Sequence, residues 1–151
     1  MRKRQTMVID EMELNARIAW LQMIQGVITR MSNYGFMLKG WGVTLVAALL
    51  ALSVGEHPNP NLALLGLLPL SLFWWLDGWF LQTEERFRNL YKWAASRSAI
   101  EHEFSINPRQ HGVDPVRSLI HTMFSITLSP FWCALGFVCL LVWQLVRTSV
   151  N

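Results

Sequence analysis

Two oppositely charged residues lie inside stretches that are otherwise apolar enough to enter a membrane. Lys39 lies in the run from Phe36 to Val54, and Asp77 lies in the run from Leu62 to Phe80. The number of residues from Lys39 to the end of its run equals the number from the start of the second run to Asp77. An antiparallel hairpin of the two runs therefore brings Lys39 and Asp77 to the same depth in the membrane. A charge at membrane depth costs several kcal/mol unless it finds a partner or water. We therefore expect an ion pair that fixes the hairpin register, a lysine that snorkels to the interface, or a pair that lines an aqueous cavity.

An arginine and a histidine form a second candidate site. Four residues separate Arg97 from His102, which is the outline of the ribonuclease motif found in HEPN domains. In that chemistry the arginine holds phosphate and the histidine assists proton transfer at a 2′-hydroxyl. Ser98 stands where the motif more often has Asn, Asp or His, and on a helix the two side chains point about 140° apart. The competing interpretation is a solvated helix end, so both residues are weak catalytic candidates and we predict no enzymatic activity.

No other pattern in the sequence points to chemistry. The spacing of its His, Cys, Asp and Glu residues suits no metal site, and no glycine-rich loop suits a phosphate. We therefore expect no cofactor and no metal ion.

The composition indicates a membrane protein. Of the 151 residues, 52% are hydrophobic and 15% are charged, whereas soluble domains carry about 25% charged residues. A third hydrophobic helix is predicted over 119–147, with its membrane span best placed between Thr127 and Val146. Each apolar run offers about the 20 residues that cross a bilayer core. The predicted fold class is all-α: an integral membrane protein with a transmembrane helical hairpin and a third hydrophobic helix, which crosses fully or is re-entrant, in one domain over 1–151. The alternative is a soluble helical bundle.

The basic residues are distributed unevenly along the chain. Six precede or enter the first run and six lie between the second and third runs, while the loop Gly55–Asn61 has none. Basic residues stay on the cytoplasmic side of a membrane. We therefore expect the N-terminus and the middle segment in the cytoplasm of a bacterium, and the protein in its inner membrane.

Two long cytoplasmic helices are predicted, an amphipathic one over 7–34 and another over 81–104. The first carries few basic residues on its polar face, which favours packing against other helices over lying on a membrane surface. Charged residues near the ends of the spans join Lys39 and Asp77 as candidates for ion pairs or a pore lining: Arg30, Glu85, Arg86 and Arg88.

Small side chains recur along one face of the first span, at steps of four and three residues. Such a stripe lets helices approach closely, either within the chain or between chains. Its members are Gly40, Thr44, Ala47, Ala51 and Gly55.

Three segments resemble a family of small bacterial membrane proteins. They begin at Arg30 (RMSNYGFMLKGW), at Phe73 (FWWLDGWFLQTEERFRNLY) and at Met123 (MFSITLSPFW). The features that carry the resemblance are an R-M-x4-F-x2-K-x-W entry to the first span, F-W-x-L-D in the second, and E-R-x-F-R-x-L-Y after it. The chain is also similar in size and layout to the accessory membrane proteins of type VI CRISPR systems, which assemble into ring-shaped pores that disturb the inner membrane during phage attack.

This resemblance implies a homo-oligomeric inner-membrane pore that permeabilises or depolarises the membrane in antiphage defence. Its expected partners are membrane lipid and further copies of the chain, with no direct contact to nucleic acid. The alternative is a non-pore anchor that recruits a cytoplasmic defence protein, through a face that includes Phe87 and Tyr91. A membrane-tethered ribonuclease, which depends on Arg97 and His102, is the less favoured third hypothesis.

Overall fold

The computed structural model of the chain describes residues 2–55, 57–96, 105–112 and 118–150, with side chains from residue 11 onwards. All regular structure in these residues is helical, which confirms the predicted all-α class. The α-helices are α1 (Arg2–Val54), α2 (Pro60–Leu65), α3 (Leu67–Ser96), α4 (Leu119–Met123) and α5 (Ser129–Val150), and a 3-10 turn covers Pro108–His111.

Three helical stretches are long and apolar enough to cross a membrane, as the sequence predicted. They are Glu11–Val54, Pro60–Ser96 and Ser129–Val150. In each of them, most residues of the most apolar window are not buried within the chain. A helix that is apolar all round is typical of a membrane span.

Helix α1 joins two elements that the sequence predicted separately, over 7–34 and 36–54. The sequence allows either a break at Asn33 to Gly35 or a nearly continuous helix, and these residues are helical without interruption. All three residues have a backbone N–H that can donate within the helix, and a glycine inside a helix costs only about 1 kcal/mol relative to alanine. That cost is too small to break a long helix.

The second apolar run, predicted as one span over 62–80, is broken at Gly66. Asn59 caps the start of α2 by accepting a hydrogen bond from the backbone N–H of Asn61, and Pro60 begins the helix. The break follows from Pro69, which has no N–H to donate to the carbonyl of Leu65 and whose ring crowds that carbonyl.

The third hydrophobic segment, predicted as one helix over 119–147, is divided into α4 and α5. Residues 124–128 form a tight turn in which the backbone N–H groups of Leu128 and Ser129 both donate to the carbonyl of Ser125. Pro130 lies in the first turn of α5, where a missing N–H leaves no helical hydrogen bond unmade. Helix α3 is described as far as Ser96, and the rest of the predicted 81–104 helix lies outside the described residues.

The contacts divide the chain into two units. The first comprises Met1–Ser32 and Thr83–Val116, and the second comprises Asn33–Gln82 and Arg117–Asn151. The first unit buries Trp20, Ile24, Ile28, Leu90 and Ala94. The second buries Val46, Leu70, Leu128, Trp132 and Cys139.

In the first unit, side chains of α1 fasten the loop at 105–112 and the end of α3. The carbonyl of Ser105 accepts from Trp20 Nε1 at 3.2 Å and contacts His111 Nε2 at 3.1 Å. Arg17 donates to the carbonyls of Ala94 and Ala95, at 3.3 and 3.2 Å. These carbonyls belong to the last described turn of α3.

Candidate functional site

Lys39 and Asp77 meet inside the second unit. Lys39 Nζ lies 2.6 Å from Asp77 Oδ2. The indole Nε1–H of Trp132 donates to the same carboxylate oxygen at 3.0 Å. Asp77 is only 2% exposed, whereas the Lys39 side chain is 29% exposed. One residue each from α1, α3 and α5 therefore forms a single polar cluster, which we call the Asp77 cluster.

Two glycines of α1 allow the other helices to come this close. A β-carbon at Gly35 would lie 3.1 Å from Asp77 Oδ1, and one at Gly42 would lie 2.9 Å from two ring carbons of Trp132. Gly35 and Gly42 are both buried and stand on either side of Lys39 along the helix. The face of α1 that carries Lys39 therefore accommodates α3 and α5 because Gly35 and Gly42 have no side chains there.

The charges of the Asp77 cluster balance each other. A carboxylate that accepts from an ammonium and an indole has its charge compensated, and a buried charge without such partners is strongly destabilising. Neither group stands beside a nucleophile or a second carboxylate in the described part of the cluster. The arrangement suits the holding of three helices in one register rather than proton transfer.

Of the three expectations for Lys39 and Asp77, the geometry matches the register-fixing ion pair. Lys39 reaches the carboxylate, and Asp77 is too buried to line an aqueous cavity within the described chain.

The other charged candidates lie in the first unit. Arg88 pairs with Glu84 one turn earlier on α3, with its NH2 and Nε nitrogens 2.6 and 2.8 Å from Glu84 Oε1. Glu84 is buried and was not among the sequence-derived candidates. Glu85 and Arg86 are half-buried and Arg30 is exposed. Arg86 Nε is buried and has no hydrogen-bond partner among the described residues.

The small-residue stripe of α1 is exposed. Every member is solvent- or lipid-accessible in the single chain: Gly40, Thr44, Ala47, Ala51 and Gly55. The face that α1 uses for packing within the second unit is instead the one with Gly35, Lys39, Gly42 and Val46. The close helix approach that the stripe predicts is therefore not made within the described chain.

The arginine–histidine pair stays a prediction, because Arg97 and His102 lie outside the described residues.

Trp132 and Gly42 are the residues of the Asp77 cluster that the sequence analysis missed. A buried tryptophan usually finds an acceptor for its N–H, and Asp77 is the acidic residue within the hydrophobic runs. That signal was present, but eight tryptophans share it. Only the packing of α5 against α1 and α3 selects among them.

Among the described residues, no group of three or more His, Cys, Asp or Glu side chains is placed to hold a metal ion. No protein-family model, no curated protein and no solved structure matches the chain.

Proposed function

We propose that this protein is inserted in the bacterial inner membrane, associates with copies of itself, and as an oligomer forms a pore that permeabilises or depolarises the membrane in antiphage defence. The observation that carries the proposal is the exposed stripe of small residues on α1. It lies on a candidate span, and nothing in the described chain covers it. In lipid, helices associate through such faces because small side chains allow long van der Waals contact between backbones.

The Asp77 cluster supports the proposal in a structural role. It ties α1 to α3 and α5 through the opposite part of the helix surface, which leaves the stripe of α1 available to a neighbouring copy. The defensive role rests on the resemblance of the three sequence segments, and the pore on the same resemblance together with the stripe.

The test combines the mass of the purified protein with the release of a dye from vesicles. We expect a detergent-corrected mass well above that of a dimer, and dye release by the reconstituted protein. Ala51→Leu places a bulky side chain within the stripe, so we expect association to weaken about tenfold, equivalent to about 1.4 kcal/mol, and dye release to fall with it. Ala134→Leu makes the same change at an exposed position of α5 and should leave both measurements unchanged.

A monomer or dimer has too few subunits to build the wall of a pore, and that result would overturn the proposal. A large assembly that leaves vesicles intact would overturn the pore while keeping the self-association. Equal effects of Ala51→Leu and Ala134→Leu would contradict the assignment of the stripe as the interface.

One observation favours the alternative function, a non-pore anchor for a cytoplasmic protein. The first unit has a core of its own, yet it also exposes large apolar side chains on α1. These are Met12, Leu14, Ile18 and Met23. Phe87 and Tyr91, which the sequence indicated as the partner face, are half-buried and pack against that core instead. A recruited protein would therefore bind to α1. In the experiment above, an anchor would form an assembly but would not release dye from the vesicles.

A further inference from the structure

The segment from Leu119 to Leu128 comprises α4 and the turn after it, and most of it has inverted polarity. Three of its large apolar side chains point outward: Ile120 is 69% exposed, Phe124 is 64% exposed and Ile126 is 92% exposed. Leu128, at its end, is buried in the core of the second unit. Two of its hydroxyls point inward, because Thr122 is 2% exposed and Ser125 Oγ is buried without a hydrogen-bond partner among the described residues, whereas Thr127 is exposed. In a segment surrounded by water the opposite arrangement is favoured, with hydroxyls outside and isoleucine inside.

This orientation is held in place by contacts with α3. Trp74 Nε1 donates to the carbonyl of Met123 at 3.1 Å, and the rings of Trp74 and Phe124 lie 5.2 Å apart in an edge-to-face arrangement. Met123 also packs against Gly78, where a β-carbon would lie 2.6 Å from Met123 Cγ. Three contacts with Trp74 and Gly78 therefore hold Met123 and Phe124 against α3.

The surroundings of the segment indicate lipid rather than a protein partner. Helix α5, a candidate span that begins directly after the segment, also exposes large apolar side chains, among them Phe137 and Leu141. The segment's contacts Trp74 and Gly78 flank Asp77, which is the first charged residue along α3. Tryptophans of membrane proteins concentrate at the level where the hydrocarbon meets the headgroups.

The depth follows from the polar residues of the same segment. Ser118 and His121 are exposed beside Ile120, and polar groups avoid the hydrocarbon unless they are paired. A surface that offers both polar and large apolar side chains fits the boundary between headgroups and acyl chains.

We infer that residues 119–128 form an interfacial segment, in which Ile120, Phe124 and Ile126 insert among the upper acyl carbons of the bilayer leaflet next to the Asp77 cluster. The partner is a lipid surface. The inference goes beyond the proposed function and holds for a pore and for an anchor, because it depends on the second unit of one chain alone.

The test places an environment-sensitive fluorophore at the tip of the segment. Ile126→Cys in a Cys133→Ala background is labelled with a nitrobenzoxadiazole group, while Cys139 is buried and stays unlabelled. The labelled full chain is reconstituted in phosphatidylcholine–phosphatidylglycerol vesicles that contain lipids with a doxyl quencher at carbon 5 or carbon 12. Ile120→Cys is the second labelling site, and Gln110→Cys, exposed in the first unit, is the matched control for a site outside the bilayer.

We expect the label at 126 to be quenched at least twofold more by the carbon-5 lipid than by the carbon-12 lipid, and to resist aqueous iodide. The control at 110 should show the reverse, with quenching by iodide and none by either lipid. Stronger quenching by the carbon-12 lipid would overturn the inference, because the segment would then cross the core. Quenching by iodide alone would overturn it in favour of water, and quenching by neither agent would overturn it in favour of a protein cover. Dye release plays no part in this readout, so failure of the pore and failure of the interfacial segment are separate results.

Discussion

At the scale of single residues, Lys39 and Asp77 are energetically unequal partners. Lys39 keeps part of its side chain exposed, whereas Asp77 is almost fully enclosed and depends on Lys39 and Trp132. A lysine that loses its partner can extend along its flexible stem toward the interface. A carboxylate held inside three helices has no such alternative, so removal of the lysine is the more damaging change.

This asymmetry predicts the outcome of a double-mutant cycle. We expect Lys39→Met to lower the free energy of unfolding by about 3 kcal/mol or more, the range for breaking a buried pair, and Asp77→Asn to lower it by less. The double variant should lose less than the sum of the single losses, because neither charge is then left alone. The measurement is unfolding in mixed micelles followed by helical signal. Lys92→Met, at an exposed lysine of α3, controls for the loss of a positive charge, and strictly additive losses would contradict the pair.

At the scale of elements, the close approach of α1 and α5 depends on Gly42. An alanine β-carbon there would sit 2.9 Å from the Trp132 ring, a distance that forces the ring or the helix to move. The ring is anchored by its bond to Asp77, so the strain cannot be relieved by a simple rotation. Overpacking of this kind costs about 1–3 kcal/mol.

We therefore expect Gly42→Ala to destabilise the protein and to weaken the Trp132 hydrogen bond, seen as a shift of tryptophan emission toward longer wavelength. Gly26→Ala is the matched control on the same helix, since no atom lies within 4 Å of its β-carbon position. There the better helix propensity of alanine should raise stability by up to about 1 kcal/mol. A stabilising Gly42→Ala would show that the two helices are not in contact at this point.

The same elements show what sequence reasoning can reach. Run length and composition predicted the helices, and equal residue counts placed Lys39 opposite Asp77, because helical rise is nearly constant. Pro69 and Pro130 disfavour a continuous helix in the second and third runs, and the breaks lie at Gly66, one turn before Pro69, and in the turn before α5. Trp132 and the inward-facing hydroxyl of Thr122 were beyond prediction, because the rotation of α4 and α5 about their axes depends on packing and not on local pattern.

At the scale of the whole molecule, the distribution of basic residues predicts the orientation in the membrane. The loop Gly55–Asn61 carries no lysine or arginine, and six such residues lie between the second and third apolar runs. Retention of basic residues in the cytoplasm then places His57 outside and Gln110 inside. The structure adds a third position at which orientation can be measured. Helix α5 continues to Val150, so labelling at Thr148, near its end, reports on whether this helix crosses the membrane.

Labelling with a membrane-impermeant thiol reagent tests all three positions in a Cys133→Ala background. We expect His57→Cys to react in intact spheroplasts and Gln110→Cys to react only in inverted vesicles. Thr148→Cys should react in spheroplasts if α5 spans fully, as its 22 residues allow at about 1.5 Å each. The interfacial placement of residues 119–128 next to the Asp77 cluster requires this result, since α5 then starts at the cytoplasmic headgroups and ends at the other side. Reaction of Thr148→Cys in inverted vesicles alone would make the third segment re-entrant, and reaction of His57→Cys there alone would reverse the orientation of the hairpin.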